Sequence, residues 1–322
     1  MRATGAVAAV DCGTNSTRLL VVGPSADVKA REMRITRLGE GVDATRMLRS
    51  EAMERTFGAL REFRSIMDKA GVVRARLVAT SAVRDAENGE AFLGPASQIV
   101  GARAELLSGG EEGRLSYAGA TAGLPGGEGG DRVVVVDIGG GSTEIVTAAH
   151  DEIVSVSLDI GCVRLTERFL RGDPPGAAEV AEAVTAIGAE LSRATRVIPE
   201  LDEAGPPFRL VGLAGTVSTL ASLELGLTDY HRDVIHGAVL TRDAVERWCA
   251  VLGAERVGER ALRPAIPEGR EDVIFGGALV LREVMGRFGL RNCIVSESDI
   301  LDGLVMSIQL PHSKPATGQR VE

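Results

Sequence analysis

The chain has 322 residues, of which 44% are hydrophobic and 25% charged, the balance of a soluble globular protein long enough for one large or two medium domains. Its net charge of −9 argues against general affinity for nucleic acid or an anionic membrane, and leaves room for a local basic groove built from arginines, the lysines being Lys29, Lys69 and Lys314. Cys12, Cys162, Cys249 and Cys293 lie far apart without C-x-x-C spacing, so neither zinc nor a disulfide framework is expected; no signal peptide or membrane span is read, and the expected location is the cytoplasm.

In chain order, residues 6–10 read as a first strand, 16–22 as a second after a tight loop, and 31–38 as a third. Residues 50–71 read as a helix: Ser50 can cap it, Met53, Phe57, Leu60 and Ile66 or Met67 recur at helical spacing, and Gly71 ends it. Residues 75–83 are a strand and loop, "EAFLGPASQIVG" a short helix, "RAELLSG" a strand, and "GEEGRLSYAGATAG" a further helix. The glycine-rich "LPGGEGGD", 124–131, marks a turn or linker, so the domains are placed at 1–128 and 129–310. The second half begins with strands 133–137, 143–148 and 153–159 and helices 162–171 and 176–197. Then come "FRLVGLAGTVSTLASLEL" as strand, glycine turn and helix, a helix opened by Thr241, a long helix in "REDVIFGGALVLREVMGRFG", and "RNCIVSESDILDGLVMSIQL" as strand, loop and helix. The polar residues 311–322 are expected to be a disordered tail.

The two halves repeat. Aligning Asp11 with Asp137 also matches Gly13 with Gly139, Ser16 with Ser142 and Thr17 with Thr143, each time between two apolar strands. Glycine after a buried strand exposes backbone N–H groups to a phosphate without a Cβ in the way, serine and threonine add hydroxyls, and an aspartate at the strand end can hold Mg²⁺. No G-x-x-x-x-G-K-[ST] occurs and no G-x-G-x-x-G opens a helix, which speaks against a P-loop or a dinucleotide site. Each loop leads into another strand, so two hairpins facing each other across a cleft are expected.

Elsewhere the residues leave alternatives open. Glu111 and Glu112 either make an acidic first turn or supply a general base. Arg84, near Thr80 and Ser81, either clamps phosphate or pairs with Asp85 or Glu87. "LAGTVSTLAS" either binds an anion at a helix start or packs helix on strand. His231 and His236 lack ligand spacing and read as structural.

"DCGTNSTRLLV", "TSAVRDAEN", "LLSGGEEGRLSYAGA", "VVDIGGGSTEIV", "DIGCVRLTERF", "GLAGTVSTLA", "REDVIFGGALVL" and "VSESDILDGL" resemble, in order, the motifs of the exopolyphosphatase/guanosine pentaphosphate phosphatase (Ppx/GppA) family over residues 7 to 305. The resemblance implies an α/β, actin-like ATPase (ribonuclease H-like) fold with two domains of duplicated topology around a cleft. It implies Mg²⁺-dependent hydrolysis of the terminal phosphoanhydride of inorganic polyphosphate or of the 5′-γ-phosphate of pppGpp, by a homodimer. Carried over by motif, Glu112 is the base for the attacking water, and Asp137 and Glu144 are the carboxylates for Mg²⁺ and water, with Asp11 a further metal ligand. Gly139, Gly140, Gly141, Ser142 and Thr143 would hold the phosphate from one side, and Thr14, Asn15, Ser16 and Arg18 from the other, with Arg84 assisting. Arg164, Arg263 and Arg270 are candidates for a basic route into the cleft. The chain looks like the family's short, two-domain type, without the helical C-terminal extension expected of longer relatives. An actin-like nucleotide-binding scaffold would need an adenosine pocket, and a sugar kinase a catalytic aspartate serving a sugar hydroxyl; neither motif is evident.

Overall fold

A computed structural model describes residues 5–122, 132–149, 152–202 and 208–309; the linker and tail expected at 124–131 and 311–322 lie outside the described residues. Strands β1 (Ala6–Cys12), β2 (Ser16–Val22) and β3 (Val28–Ile35) make an antiparallel meander. Strands β4 (Val72–Ala79) and β5 (Ala104–Leu106) join in parallel, giving the order β3-β2-β1-β4-β5. The second half does the same with the meander β6 (Val133–Ile138), β7 (Thr143–Ala149) and β8 (Glu152–Leu158), followed by β9 (Arg209–Leu213). A short edge strand β10 (Val239–Thr241) pairs with β11 (Asn292–Val295), which lies parallel to β9. Counted from each meander, both sheets run third, second, first, fourth, fifth, with β10 added to the second. The repeat seen in two loops is a duplication of the whole sheet, the architecture of the actin-like fold.

The helices of the first half are α1 (Val42–Thr45), α2 (Ser50–Lys69), α3 (Ser81–Asp85), α4 (Gly89–Val100) and α5 (Gly109–Thr121). Those of the second are α6 (Cys162–Phe169), α7 (Ala177–Val197), α8 (Ala214–Glu224), α9 (Arg232–Ile235), α10 (Arg242–Ala254), α11 (Val257–Arg260), α12 (Ile274–Arg287) and α13 (Ile300–Gln309). Ser50 is the first residue of α2 and makes no capping bond, whereas Thr241 does cap α10, its Oγ1 accepting from the Ala244 N–H at 3.2 Å. The third strand starts at Val28 because its pairing with β2 reaches back to Val22.

The central strands are apolar at nearly every position because both their faces are covered. On β1, Ala6, Ala8, Val10 and Cys12 pack under Phe57, Leu60 and Phe63 of α2 and Phe92 of α4, while Val7 and Ala9 face Leu301, Leu304 and Ile308 of α13. On β6, Val134, Val136 and Ile138 join the large core with α7, α10 and α12, while Val135 packs with Ala120 of α5. With few aromatics to work with, the core relies on these aliphatic layers, each fully buried Val or Leu contributing roughly 1.5–3 kcal/mol.

Helices α5 and α13 change sides. By sequence α5 belongs to 1–128, but it lies on β6, β7 and β8; α13 belongs to 129–310, but lies on β1, β2 and β4. A linear boundary at 128/129 therefore does not follow the packing. The two helices cross at Gly119 and Gly303: a Cβ on Gly119 would stand 1.9 Å from the Asp299 carbonyl oxygen, and one on Gly303 2.1 Å from that of Leu115. Only glycines permit this approach. No described helix is long and apolar enough to cross a membrane. The four cysteines are buried and free.

Candidate active site

The β1–β2 and β6–β7 turns are built alike. The Gly13 N–H donates to the Ser16 carbonyl at 3.0 Å, and the Gly139 N–H donates to the Ser142 carbonyl at 3.0 Å. The two turns meet: a Cβ on Gly140 would lie 2.8 Å from the Thr14 Cβ. Equivalent ladder positions carry different chemistry. Asp11 stands opposite Arg18, an ion pair, and Asp137 stands opposite Glu144, two acids.

Both turns line a cavity of about 590 Å³, to which Asp11, Thr14, Asn15, Ser16, Arg18, Glu112, Asp137, Gly139, Gly140 and Ser142 all contribute. Asp11 Oδ2 accepts from Arg18 Nη2 at 2.6 Å and from Nε at 3.1 Å, while among the described residues its buried Oδ1 has no partner, and neither has Asn15 Nδ2. Arg18 Nη1 also pairs with Asp299. Asp137 Oδ2 accepts from the Ser116 hydroxyl at 2.7 Å, and Glu144 Oε1 from the Ser157 hydroxyl at 2.7 Å. Glu112 Oε2 accepts from Arg84 Nη1 at 3.3 Å.

These acids are expensive to ionise together. Burial, opposed by Ser116 and Arg18, pushes Asp137 up to about 6. Burial and the neighbouring Asp137 push Glu144 up, and burial and Glu144 push Glu112 well above the usual carboxylate range. Asp11 is raised by burial, against the pull of Arg18. A divalent cation would relieve that repulsion, and the unpartnered Asp11 Oδ1, near enough to Asp137 to repel it, is a donor that could meet one. Among the described residues, no three His, Cys, Asp or Glu side chains form a ready-made metal cage.

Of the residues assigned to catalysis, metal or phosphate, four do not line the cavity. Thr143 is fully buried and its hydroxyl donates to the Ile160 carbonyl at 2.6 Å, so it fixes the turn and does not reach the cavity. Gly141 is pressed against Ser81 and Thr14. Glu144 is buried opposite Asp137 on the neighbouring strand, and Arg84 Nη1 donates to the Leu107 carbonyl at 2.9 Å and to Glu112 at 3.3 Å, so it steers the glutamate. Of the three arginines suggested for a basic route, Arg270 lines the cavity and is 8% exposed with Met33 Sδ as its contact. Arg164 is tied up by Asp43 and Asp85, and Arg263 by Glu255 beneath Trp248; neither lines the cavity. Glu111 caps α5 through the Ser108 capping box, leaving Glu112 as the acid facing the cavity. His236 Nδ1 accepts the Glu297 N–H at 3.1 Å, a structural role.

Sequence reasoning missed Arg31, Arg232, Tyr230, Glu297 and Asp299, which line the cavity beyond the turns. Arg31 pairs with Asp302 at 2.7 Å, and Arg232 donates to the Glu297 carbonyl, its buried Nε having no partner among the described residues. Three of the five sit on connections between elements, where no periodicity marks them.

The model of the Ppx/GppA phosphatase family matches residues 21–312. Exopolyphosphatase 2 of Mycobacterium tuberculosis is 43% identical over 320 residues, covering 94% of this chain and 98% of that protein. Among solved structures, an exopolyphosphatase-like protein is 34% identical with a TM-score of 0.89, covering 94% of this chain and 98% of that one. An Aquifex aeolicus member of the Ppx/GppA family is 33% identical with a TM-score of 0.76, covering 94% and 97%.

Proposed function

The chain belongs to the Ppx/GppA phosphatase family, and on that premise we propose that it is an exopolyphosphatase that removes the terminal phosphate of inorganic polyphosphate. The observation that carries this reading is the meeting of two glycine turns with Glu112 and Asp137 in one cavity.

The terminal phosphoryl group would sit in the cavity that both turns line, where Ser142, Asn15 and the second glycine turn can take its oxygens, with Arg18 supplying positive charge from its pairs with Asp11 and Asp299. Asn15 Nδ2 has no partner among the described residues and is a donor suited to that role. Glu112 accepts a proton from the attacking water; the new P–O bond forms as the bridging P–O bond breaks, releasing orthophosphate and a chain one unit shorter. Arg84 holds the base in place, and burial raises its basicity above that of an ordinary carboxylate. Asp11, Asp137 and Glu144 would hold a divalent cation, Mg²⁺ being the expected one, which when bound neutralises charge on the phosphate oxygens. Arg270 and Arg232 extend the positive lining toward the rest of the substrate.

Phosphate release measured side by side with long polyphosphate, tripolyphosphate, pppGpp and ATP tests this. Release from polyphosphate is expected; turnover of pppGpp alone would move the assignment to a guanosine pentaphosphate phosphohydrolase with the same site. The reading extends to a homodimer acting in the cytoplasm, which sedimentation and cell fractionation test in turn.

A further inference from the structure

Arg164 does not feed substrate into the cavity, yet it is 8% exposed and makes three charge-assisted contacts. It sits on α6, whose first turn is fastened to the second glycine turn: Cys162 N–H donates to the Gly139 carbonyl at 3.0 Å, and Val163 and Arg164 N–H to the Gly140 carbonyl at 2.9 and 3.1 Å. Its guanidinium fork then spans the gap between the two sheets. Nε donates to the Gly141 carbonyl at 2.6 Å, Nη1 to Asp43 Oδ1 at 2.6 Å, and Nη2 to Asp85 Oδ2. Asp43 is on α1 and Asp85 on α3, both of the first half.

The neighbour of Asp85 on α3 is Arg84, which holds Glu112. Helix α3 is therefore gripped twice from across the cleft, by Arg164 at Asp85 and by Glu112 at Arg84. A planar fork satisfying a carbonyl and two carboxylates at once fixes angle as well as distance, which a lysine could not do. Arg168 to Asp43, and the Gly41 N–H to Glu167 at 3.0 Å, reinforce the same seam.

We propose that Arg164 is a positioning residue: it locks the second glycine turn to α1 and α3, and through the Asp85–Arg84 step it sets where Glu112 stands relative to the phosphate. This rests on the hydrolytic reading above, and it adds a residue that touches neither substrate nor the attacking water. Release of the fork lets the turns separate and the base drift; a shift of about 1 Å is enough to cost a large factor in rate.

The test uses the full chain with spin labels on Glu51→Cys of α2 and Glu182→Cys of α7, both exposed, the native cysteines being buried. Arg164→Met is expected to broaden and lengthen the label distance and to lower kcat by ~10- to 100-fold, with a smaller change in KM. Asp85→Asn is expected to act in the same direction, and to add less than about twofold to the loss already caused by Arg164→Met, since both break one coupling. A folded Arg164→Met protein with kcat within about twofold of the parent, losses that multiply, or an unchanged distance distribution would each overturn the proposal. Should Arg164→Met not fold, kcat and the distance distribution of Asp85→Asn decide alone. The distance measurement needs no turnover, so a protein inactive on polyphosphate would sink the functional reading while leaving this one measurable.

Discussion

Replacing Asp137 by asparagine gives a result whose sign is unusual. Asp137 is buried, 8% exposed, where the end of β6 meets the cavity, and burial is the main reason its pKa is pushed up to about 6, against an ordinary 3.8. Between those values the folded protein keeps a proton that the unfolded chain has lost, so stability falls as pH rises; the contribution is complete below 3.8 and gone above about 6. The gap of about two units corresponds to about 3 kcal/mol. Asparagine has no proton to lose and keeps an oxygen to accept from Ser116. Relative to the parent, Asp137→Asn should therefore gain about 3 kcal/mol between about pH 4 and about pH 7.5. Phosphate release should nevertheless fall at least ~100-fold. Urea unfolding at both pH values, in EDTA so that no cation masks the repulsion, reads the first effect, and a phosphate assay the second. A stability difference that stays constant with pH, or that turns against the variant as pH rises, would refute the claim that burial strains this carboxylate.

Glu112→Gln should fold, bind polyphosphate and lose ~10²- to 10⁴-fold in kcat; phosphate release at the parent rate removes the base assignment. Glu144→Ala should lose the response of turnover to added Mg²⁺, and an unchanged metal titration counts against its place beside the cation. Leu304→Ala empties a fully buried position under β1 and should cost ~3–5 kcal/mol in urea unfolding; a loss below about 1 kcal/mol would mean that α13 is not a core element of the first sheet.

Much of the site was legible because phosphate chemistry writes itself into short, local patterns. The turn from Asp11 to Thr17 and its copy from Asp137 to Thr143 announce strand, glycine and hydroxyl in order, and the duplication of the sheets followed from them. Local patterns say less about which way a side chain turns. Thr143 matches the motif as well as Ser142 does, but Ser142 belongs to the turn that lines the cavity, whereas Thr143 opens β7 and turns inward to Ile160. Arg164 and Arg270 look alike in sequence; only the fold shows one spent on two aspartates and the other left facing the cavity. The exchange of α5 and α13 was not legible, because an apolar helix face does not say which of two similar sheets it will cover.

That exchange makes the Gly119–Gly303 crossing a pivot. Helix α5 packs on the second sheet, which puts Glu112 on the same side as Asp137 and Glu144, while Arg18 and the first glycine turn belong to the other. Glu112 lies seven residues from Gly119 along α5, a lever arm of about 10 Å. A rotation of ~10° about that point carries the base roughly 2 Å past the first turn, further than a hydrogen bond tolerates. The position of the base relative to the first turn is therefore sensitive to displacements far smaller than an opening of the cleft.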